Sequence, residues 1–206
     1  MPQHTDITDH ITELLAKQGW AVVPDFIPAP LVTELAHEAQ QLKQNGIPRP
    51  AGIGKGAERT VNTDIRGDAI LWLNEPDLTD AQSKYFASLE ELRMASNAAL
   101  QLGLFEFEGH LAIYPPGAFY QRHLDRFRND SLRTQTAILY LNTDWQEEQG
   151  GQLRMYLNDT EYIDILPQAG TLVTFLSERY WHEVLPANRE RMSITGWFKT
   201  RSGTVL

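Results

Sequence analysis

Apolar residues in the first half of the chain recur with the period of a helix. They return every three or four positions over 7–15, 31–42 and 80–102, and this spacing predicts three helices. Gly19 follows the first of these patterns, and the pair Asn45–Gly46 follows the second. Both residue types readily adopt the left-handed backbone that ends a helix, so the first half is predicted to be largely helical.

Two other patterns lie between the predicted helices. Apolar runs at 21–23 and 70–73 predict short strands. Residues 46–62 are rich in Gly and Pro and have no apolar period. Loops of this length are either functional or disordered, and the glycines can serve as hinges. We therefore expect a mobile loop that closes over a bound peptide.

The second half of the chain alternates between β-rich runs and turn residues. Short strands at near-regular spacing predict an antiparallel sandwich or jelly roll. Helices packed on such a core make an α+β fold. We expect one domain over 1–206, with a helix-rich support over 1–105 and a jelly-roll core over 106–200. The β-rich runs are 106–114, 119–125, 136–142, 152–157, 171–175 and 194–199.

The composition narrows the class of protein. Hydrophobic residues make up 42% of the 206 positions, which suffices for a packed core. A net charge of −9 disfavours nucleic-acid binding, because phosphate contacts need Lys and Arg. The lack of cysteine excludes disulfides, thiolate zinc sites and cysteine nucleophiles. The chain has neither the pattern of a signal peptide nor an apolar run of membrane-spanning length, so we expect a soluble, cytoplasmic monomer.

The histidines are the first candidates for metal chemistry, and four of the six have ordinary surroundings in the sequence. Isolated histidines are usually exposed or serve as hydrogen-bonded structural residues. We interpret His4, His10, His37 and His110 in this way.

His123 and Asp125 differ, because they stand two positions apart in a predicted strand, which places both side chains on one face. His182 follows a later strand, and Arg191 begins the last one. Two histidines and one carboxylate, with open positions left on the metal, are the ligand set of non-haem Fe(II) oxygenases. The planar fork of a buried Arg suits the carboxylate of an anionic co-substrate.

Other interpretations of these residues stay open. Arg191 could form a surface or interface salt bridge. The same ligands also suit a catalytic zinc ion with water in its open position. A metal that only stabilises a cupin-like barrel is a further alternative.

Longer segments around these residues share a further likeness. They are DIRGDAILWL at 64–73, IYPPGAFYQRHLD at 113–125, ILYLNTDW at 138–145, GGQLRMY at 150–156, WHEVLP at 181–186 and RMSITGWF at 191–198. With these segments the chain resembles the 2-oxoglutarate-dependent oxygenases of the hypoxia-inducible-factor prolyl hydroxylase type. The first segment is a hallmark of that type. The resemblance implies a double-stranded β-helix, which is a form of jelly roll.

The resemblance also implies a role for each matching residue. The residues similar to the iron ligands are His123, Asp125 and His182. Arg191 resembles the partner of the far carboxylate of 2-oxoglutarate. The further cofactor contacts that it implies are Tyr114, Tyr140, Leu153 and Thr195. The implied substrate-side residues are Trp72, Arg133 and Trp197, with Arg66 and Asp68 as an anchor of the mobile loop.

The chemistry that the resemblance implies is hydroxylation of a prolyl residue in a protein, at C4. It would use Fe(II), 2-oxoglutarate and dioxygen, with ascorbate as a reductant. Members of the wider family modify transcription factors and proteins of the translation machinery, and the lack of a DNA-binding segment favours a translation factor or ribosomal protein. The loop at 46–62 and the segment RFRND at 126–130 depart from the animal enzymes, which leaves the substrate open.

Several alternatives remain at this point. Trp72 and Trp197 could be core residues, and Tyr140 could pack across strands. An oxygenase of the same cofactor class could act on a free amino acid or another small molecule, although it would not need DIRGD and its loop. Nucleobase demethylation expects a basic groove, which the net charge opposes. A metal or keto-acid sensor without turnover would keep the same residues.

Overall fold

The computed structural model describes residues 4–52, 60–126 and 132–201. The centre of the loop predicted at 46–62 lies outside these residues, and so does most of the RFRND segment. The expected closure of that loop over a peptide therefore stays a prediction.

The helices form where the apolar spacing predicts them. The first ends before Gly19, whose φ of +81° is accessible at low cost only to glycine. The third begins with a capping box, in which Thr79 and Gln82 satisfy each other's free backbone N–H groups. None of the described helices is long and apolar enough to cross a membrane. Within the described residues the α-helices are α1 (His4–Gln18), α2 (Ala29–Gln44) and α3 (Asp80–Leu100).

The strands of the described residues form two antiparallel sheets. They are β1 (Trp20–Val23), β2 (Arg49–Pro50), β3 (Ala69–Leu73), β4 (Leu104–Tyr114), β5 (Tyr120–His123), β6 (Arg133–Tyr140), β7 (Leu153–Tyr156), β8 (Tyr162–Ile165), β9 (Leu172–Leu176), β10 (His182–Val184) and β11 (Arg191–Thr200). The large sheet has the order β1-β9-β6-β11-β4-β3-β2, and the small sheet has the order β5-β10-β7-β8.

The order in which the chain visits the sheets confirms the predicted jelly roll. From β4 onward the chain passes back and forth between the large and the small sheet, which is the winding of a double-stranded β-helix. The first half of the chain extends both edges of the large sheet. There β1 pairs with β9, and β3 pairs with β4.

Side chains alternate along each strand of the large sheet, so its two faces contribute to two different cores. Leu111 and Ile194 on one face pack with Leu89 of α3 in a core shared with the helices. Tyr114 and Tyr140 on the other face lie in a second core, which the small sheet completes. The helices thus close one side of the large sheet, and the space between the two sheets holds the candidate site.

Three strands were not predicted. One is β2 (Arg49–Pro50), two residues long, which lies within the predicted loop and pairs with β3. The segment Tyr162–Ile165 alternates apolar and polar residues, but it is only four residues long. The segment His182–Val184 is shorter still and contains a glutamate. Each becomes a strand because its neighbours supply pairing partners: β8 pairs with β7, and β10 pairs with both β5 and β7.

Candidate metal centre and active site

Three side chains from the small-sheet side of the cavity converge as the sequence predicts. The pairing of β10 with β5 places His182 directly opposite His123. One ligand atom from each of His123, Asp125 and His182 lies within 4.8 Å of the others. His182 and Asp125 are 3% and 6% exposed. The group is therefore a largely buried set of two imidazoles and one carboxylate that could hold a metal ion.

The prediction for Asp125 was right about its neighbours and wrong about its local structure. Strand β5 ends at His123, so Asp125 lies in a bend beyond the strand. The same-face argument from strand alternation does not apply to it. Its carboxylate reaches the histidines through the bend, with Oδ1 3.6 Å from His123 Nε2 and Oδ2 3.5 Å from His182 Nε2.

The hydrogen bonds of the two histidines determine which ring nitrogen faces the cluster. Nδ1 of His123 lies 2.7 Å from the carbonyl oxygen of Gln121, and Nδ1 of His182 lies 3.1 Å from that of Tyr180. A carbonyl oxygen only accepts, so each Nδ1 carries a hydrogen and each Nε2 is the nitrogen that faces the cluster. A backbone partner on the far nitrogen is the usual support of a metal-ligating histidine.

The electrostatics of the cluster favour the protonation states that bind metals. Burial, followed by the nearby His123, lowers the pKa of His182 to about 4, so this imidazole is neutral at physiological pH. Burial disfavours the charged form of Asp125, but the adjacent His182 and His123 outweigh it and hold the pKa of the carboxyl well below its usual range. A neutral imidazole and an ionised carboxylate are the ligand forms.

The arginine predicted to hold a co-substrate lies in the same cavity. Arg191 is 2% exposed, and within the described residues it has no carboxylate partner, so the salt-bridge interpretation is not supported. Its Nε donates to the carbonyl oxygen of Gly151 at 2.9 Å. A Cβ on Gly151, whose φ is +72°, would approach Ala187 Cβ to 2.9 Å, so glycine permits this close backbone contact.

Arg191 lies between two tyrosine rings on the inner face of the large sheet. Its Cζ lies 5.1 Å from the ring of Tyr114 and 5.0 Å from that of Tyr140. The hydroxyl of Tyr140 is buried and has no hydrogen-bond partner among the residues that the structure describes. A buried guanidinium without an anion, beside a buried hydroxyl without an acceptor, leaves two groups that a carboxylate would satisfy. The residues present therefore fit the far carboxylate of 2-oxoglutarate.

One cavity joins these features, and most of the predicted site residues line it. Among the predicted residues, those that line it are Arg66, Tyr114, His123, Asp125, Arg133, Leu153, His182, Arg191, Thr195 and Trp197. Tyr140, Asp68 and Trp72 are not part of the lining.

Asp68 acts through Arg66. Two hydrogen bonds of 2.7 and 2.5 Å join the guanidinium of Arg66 to the fully buried carboxylate of Asp68. The Arg66 Cζ also lies 4.4 Å from the ring of Tyr120, a cavity residue. The pair therefore holds residues 66–68, which follow the predicted loop, against the cavity wall.

Trp197 lines the cavity, and the more exposed Trp72 lies beside it outside the lining; we call this part of the site the outer end. Their rings are 6.4 Å apart, and Trp72 is 39% exposed, so it is not a core residue. The guanidinium of Arg133 lies 3.5 Å from the ring centre of Trp197 and is paired with Glu108. Aromatic rings and a cation therefore surround the opening.

Comparison with known proteins agrees with this geometry. Residues 109–199 match the 2OG-Fe(II) oxygenase superfamily. A Pseudomonas putida prolyl-4-hydroxylase structure is 48% identical with a TM-score of 0.86, and the alignment covers 95% of this chain and 100% of that one. This chain belongs to the 2-oxoglutarate/Fe(II)-dependent prolyl hydroxylase family.

Other members of the family are more distant. A Trichoplax adhaerens prolyl hydroxylase, solved with a hypoxia-inducible-factor peptide fragment, is 28% identical with a TM-score of 0.86 over 95% of this chain and 90% of that one. The hypoxia-inducible factor prolyl hydroxylase of Caenorhabditis elegans and the human Egl nine homolog 1 are each 32% identical, over 95% and 92% of this chain. The chain spans 28% and 46% of the lengths of these two relatives.

His110 is the main residue of this prolyl-hydroxylase cavity that the sequence analysis misjudged. Its ring is buried in the cavity wall, and within the described part of the chain its Nδ1 has no hydrogen-bond partner. Its ring lies 5.0 Å from Trp72 and 5.5 Å from Trp197. Burial, followed by the charge of Arg66, lowers the pKa of His110 to about 3. The signal was present, because His110 stands an even number of residues from Tyr114 on one strand.

Tyr120 was also not predicted, and no simple spacing would have found it. Its ring stacks on His123 at 3.7 Å, although the two residues are three positions apart on β5. The register between β5 and β10 shifts at this point, so the alternation of faces is interrupted. The stacking helps to fix the orientation of the His123 ring.

Proposed function

We propose that this chain is an Fe(II)- and 2-oxoglutarate-dependent dioxygenase that hydroxylates a prolyl residue of a protein, at C4. The observation that carries the proposal is the juxtaposition, in one cavity, of the buried His123–Asp125–His182 cluster and the unpaired Arg191. Together with dioxygen, the bound iron and keto acid supply the oxidising chemistry that inserts one oxygen atom into a C–H bond.

The residues of the chain bind and orient the reactants. His123, Asp125 and His182 would hold the iron in the protonation states described above. Arg191 would pair with the far carboxylate of 2-oxoglutarate. Further contacts to the keto acid would come from Tyr114, Tyr140, Leu153 and Thr195.

The outer end of the cavity would receive the substrate. Trp72 and Trp197 offer flat apolar surfaces that suit a small ring such as proline. Arg133 would contact the peptide at the opening, and the pair of Arg66 and Asp68 would anchor the loop before it. The partly exposed position of Trp72 supports a polypeptide substrate rather than a free amino acid, since a long chain must extend beyond the cavity.

The organisation of the whole chain is also a proposal. The core shared between the helices and the large sheet supports one oxygenase domain over residues 1–206. A monomer without a nucleic-acid partner, located in the cytoplasm, remains the expectation from charge and composition, and so does ascorbate as a reductant.

The proposal is tested with purified protein, Fe(II), 2-oxoglutarate and a cell extract. We expect peptides with a mass increase of 16 Da on proline, and fragmentation followed by NMR of the product should place the hydroxyl at C4. The His182→Ala variant is the matched control and should give none. Free proline and other amino acids are assayed in parallel; turnover of these alone would instead support the small-molecule alternative.

A further inference from the structure

Unlike the two histidines of the cluster, Asp125 lies in a bend and not in a strand. His123 and His182 belong to paired strands of the small sheet. Asp125 lies beyond the end of β5, whose last residue is His123. A ligand outside a regular strand needs another contact to stay in position, because ligand geometry in such sites tolerates little displacement.

The contact comes from the opposite sheet. The hydroxyl of Thr136 on β6 donates to Asp125 Oδ2 at 2.8 Å, and both side chains are buried. Ser177 Oγ lies 2.9 Å from the same Thr136 oxygen. Thr136 has a single hydroxyl hydrogen, and an ionised carboxylate can only accept, so Ser177 must be the donor to Thr136. The two hydroxyls form a directed chain from Ser177 through Thr136 to Asp125.

The large sheet fixes both hydroxyls. Thr136 is paired with Phe175 of β9 and with Trp197 of β11. The backbone N–H of Ser177 donates to the carbonyl oxygen of Thr134 at 3.0 Å. The two hydroxyls therefore connect the Asp125 carboxylate to the large sheet, whereas His123 and His182 belong to the small sheet.

We infer that Thr136, supported by Ser177, is a positioning residue that holds Asp125 as a ligand through one oxygen. The Thr136 hydrogen bond engages Oδ2 and restrains rotation of the carboxylate, which favours binding of the metal through Oδ1 alone. This inference rests on the proposed function, because it concerns the same metal centre. Thr136 would not touch the iron, the keto acid or the peptide.

The first experiment measures the affinity of the metal-free protein for Mn²⁺ alone, which requires no turnover. The Thr136→Val variant keeps the shape of the side chain and removes the hydroxyl. Loss of a hydrogen bond to a metal ligand typically weakens metal affinity by about 10- to 100-fold, and we expect a loss in this range. Thr136→Ser restores the donor and should restore the affinity to within a few fold.

The matched control is Thr174→Val. Thr174 is also a fully buried threonine, and its hydroxyl accepts from Gln135 Nε2 at 2.9 Å and donates to the carbonyl oxygen of Thr136 at 2.7 Å. It has no hydrogen bond to Asp125. A general loss of stability would affect both variants, whereas the positioning role predicts weaker Mn²⁺ binding for Thr136→Val and unchanged binding for Thr174→Val.

The visible spectrum of the Co²⁺-loaded protein gives a second readout, because it responds to the number and arrangement of ligands. We expect the spectrum of Thr136→Val to differ from wild type and that of Thr174→Val to match it. If Thr136→Val does not fold, as judged by circular dichroism, Thr136→Ala removes the same hydroxyl and is measured in its place.

The outcomes separate this inference from the function on which it rests. A wild-type protein that binds no Mn²⁺ would overturn the proposed function and the positioning role together. Wild-type binding with unchanged affinity and an unchanged Co²⁺ spectrum in the variant lacking the Thr136 hydroxyl would overturn the positioning role alone.

Discussion

The two ends of the cavity are built in different ways. At the inner end, His182, Asp125 and Arg191 are almost completely buried, and strand pairing or buried hydrogen bonds fix each of them. At the outer end, Trp72 is 39% exposed. The side chain of Arg133 there is paired with Glu108 and lies over the face of Trp197.

The difference suggests that the inner end carries out the reaction and that the outer end selects the substrate. The buried groups of the inner end determine the chemistry, since displacement of a metal ligand or of Arg191 removes the reaction itself. Residues at the opening determine which chain enters. Variants of the inner end should therefore abolish binding of metal or keto acid, whereas variants of the outer end should change only the use of the protein substrate.

The largest effect is expected from the metal ligands. Replacement of His123, Asp125 or His182 by alanine leaves two ligands, which cannot hold Fe(II) against water, so iron binding and turnover should be lost. Metal titration and product analysis measure both. His37→Ala, at an exposed histidine of α2, should behave as wild type. Wild-type activity in any of the three alanine variants would end the assignment of the ligands.

Arg191 should give the next largest effect. In Arg191→Met the far carboxylate of 2-oxoglutarate enters a partly desolvated pocket without its cation, a loss on the order of 2–5 kcal/mol in binding. The dissociation constant for 2-oxoglutarate should rise accordingly, while Mn²⁺ still binds. Arg189→Met is the control, because Arg189 contacts the ring of Trp145 and does not line the cavity. If the affinity of the Arg191 variant is unchanged, another cation holds the keto acid.

The outer end should respond differently. Trp72→Ala should lower kcat/KM for the protein substrate by about 10-fold or more, because buried aromatic anchors commonly contribute more than about 1 kcal/mol to an interface. Affinity for Mn²⁺ and 2-oxoglutarate should not change. Trp181 is similarly exposed, at 45%, but its ring lies beside Arg122 and not beside the cavity residues His110 and Trp197 that Trp72 contacts, so Trp181→Ala serves as the control. Equal effects of the two substitutions would contradict a substrate role for Trp72.

The smallest effect concerns stability and pH. His110 has a pKa of about 3 in the folded protein, below its ordinary value of 6.5. Below pH 6.5 the unfolded chain therefore binds a proton at this residue that the folded protein does not, and stability falls as the pH is lowered. The contribution is about 2 kcal/mol between pH 6.5 and 5.

Denaturant unfolding of the metal-free protein measures this contribution as a difference. His110→Phe should lose less stability than wild type between pH 7.5 and 5, and the comparison removes the similar contribution of His182. A wild-type slope that persists in His110→Phe would show that His110 does not stay neutral in the fold.

Features that depend on local spacing or on side-chain type could be predicted from the sequence, whereas features that depend on distant partners could not. Helical spacing located all three helices, and the ligand types His, Asp and His with Arg191 identified the inner end, because these residues carry the chemistry in their side chains. The strands at Tyr162 and His182 were missed, since their partners lie far away in the sequence. The role of His110 required knowing that its Nδ1 has no partner, which only the packed structure reveals.

The support of Asp125 is a further property that spacing does not reveal. Thr136 and Ser177 have no distinctive pattern in the sequence, and their hydrogen bonds join β6 to the segment after β9. Contacts of this kind depend on sheet order. The sequence therefore predicted the ligand and not the residue that holds it.

Hydroxylation of a prolyl residue by dioxygen can be followed with an isotope label. The purified protein is incubated with Fe(II), 2-oxoglutarate and its prolyl protein substrate under ¹⁸O₂. The mass of the modified peptide is then measured by mass spectrometry. We expect one ¹⁸O atom on the target proline and one molecule of succinate per hydroxylation, with neither product in His182→Ala. A proline hydroxyl without ¹⁸O, or hydroxylation that continues in the absence of 2-oxoglutarate, would contradict this expectation.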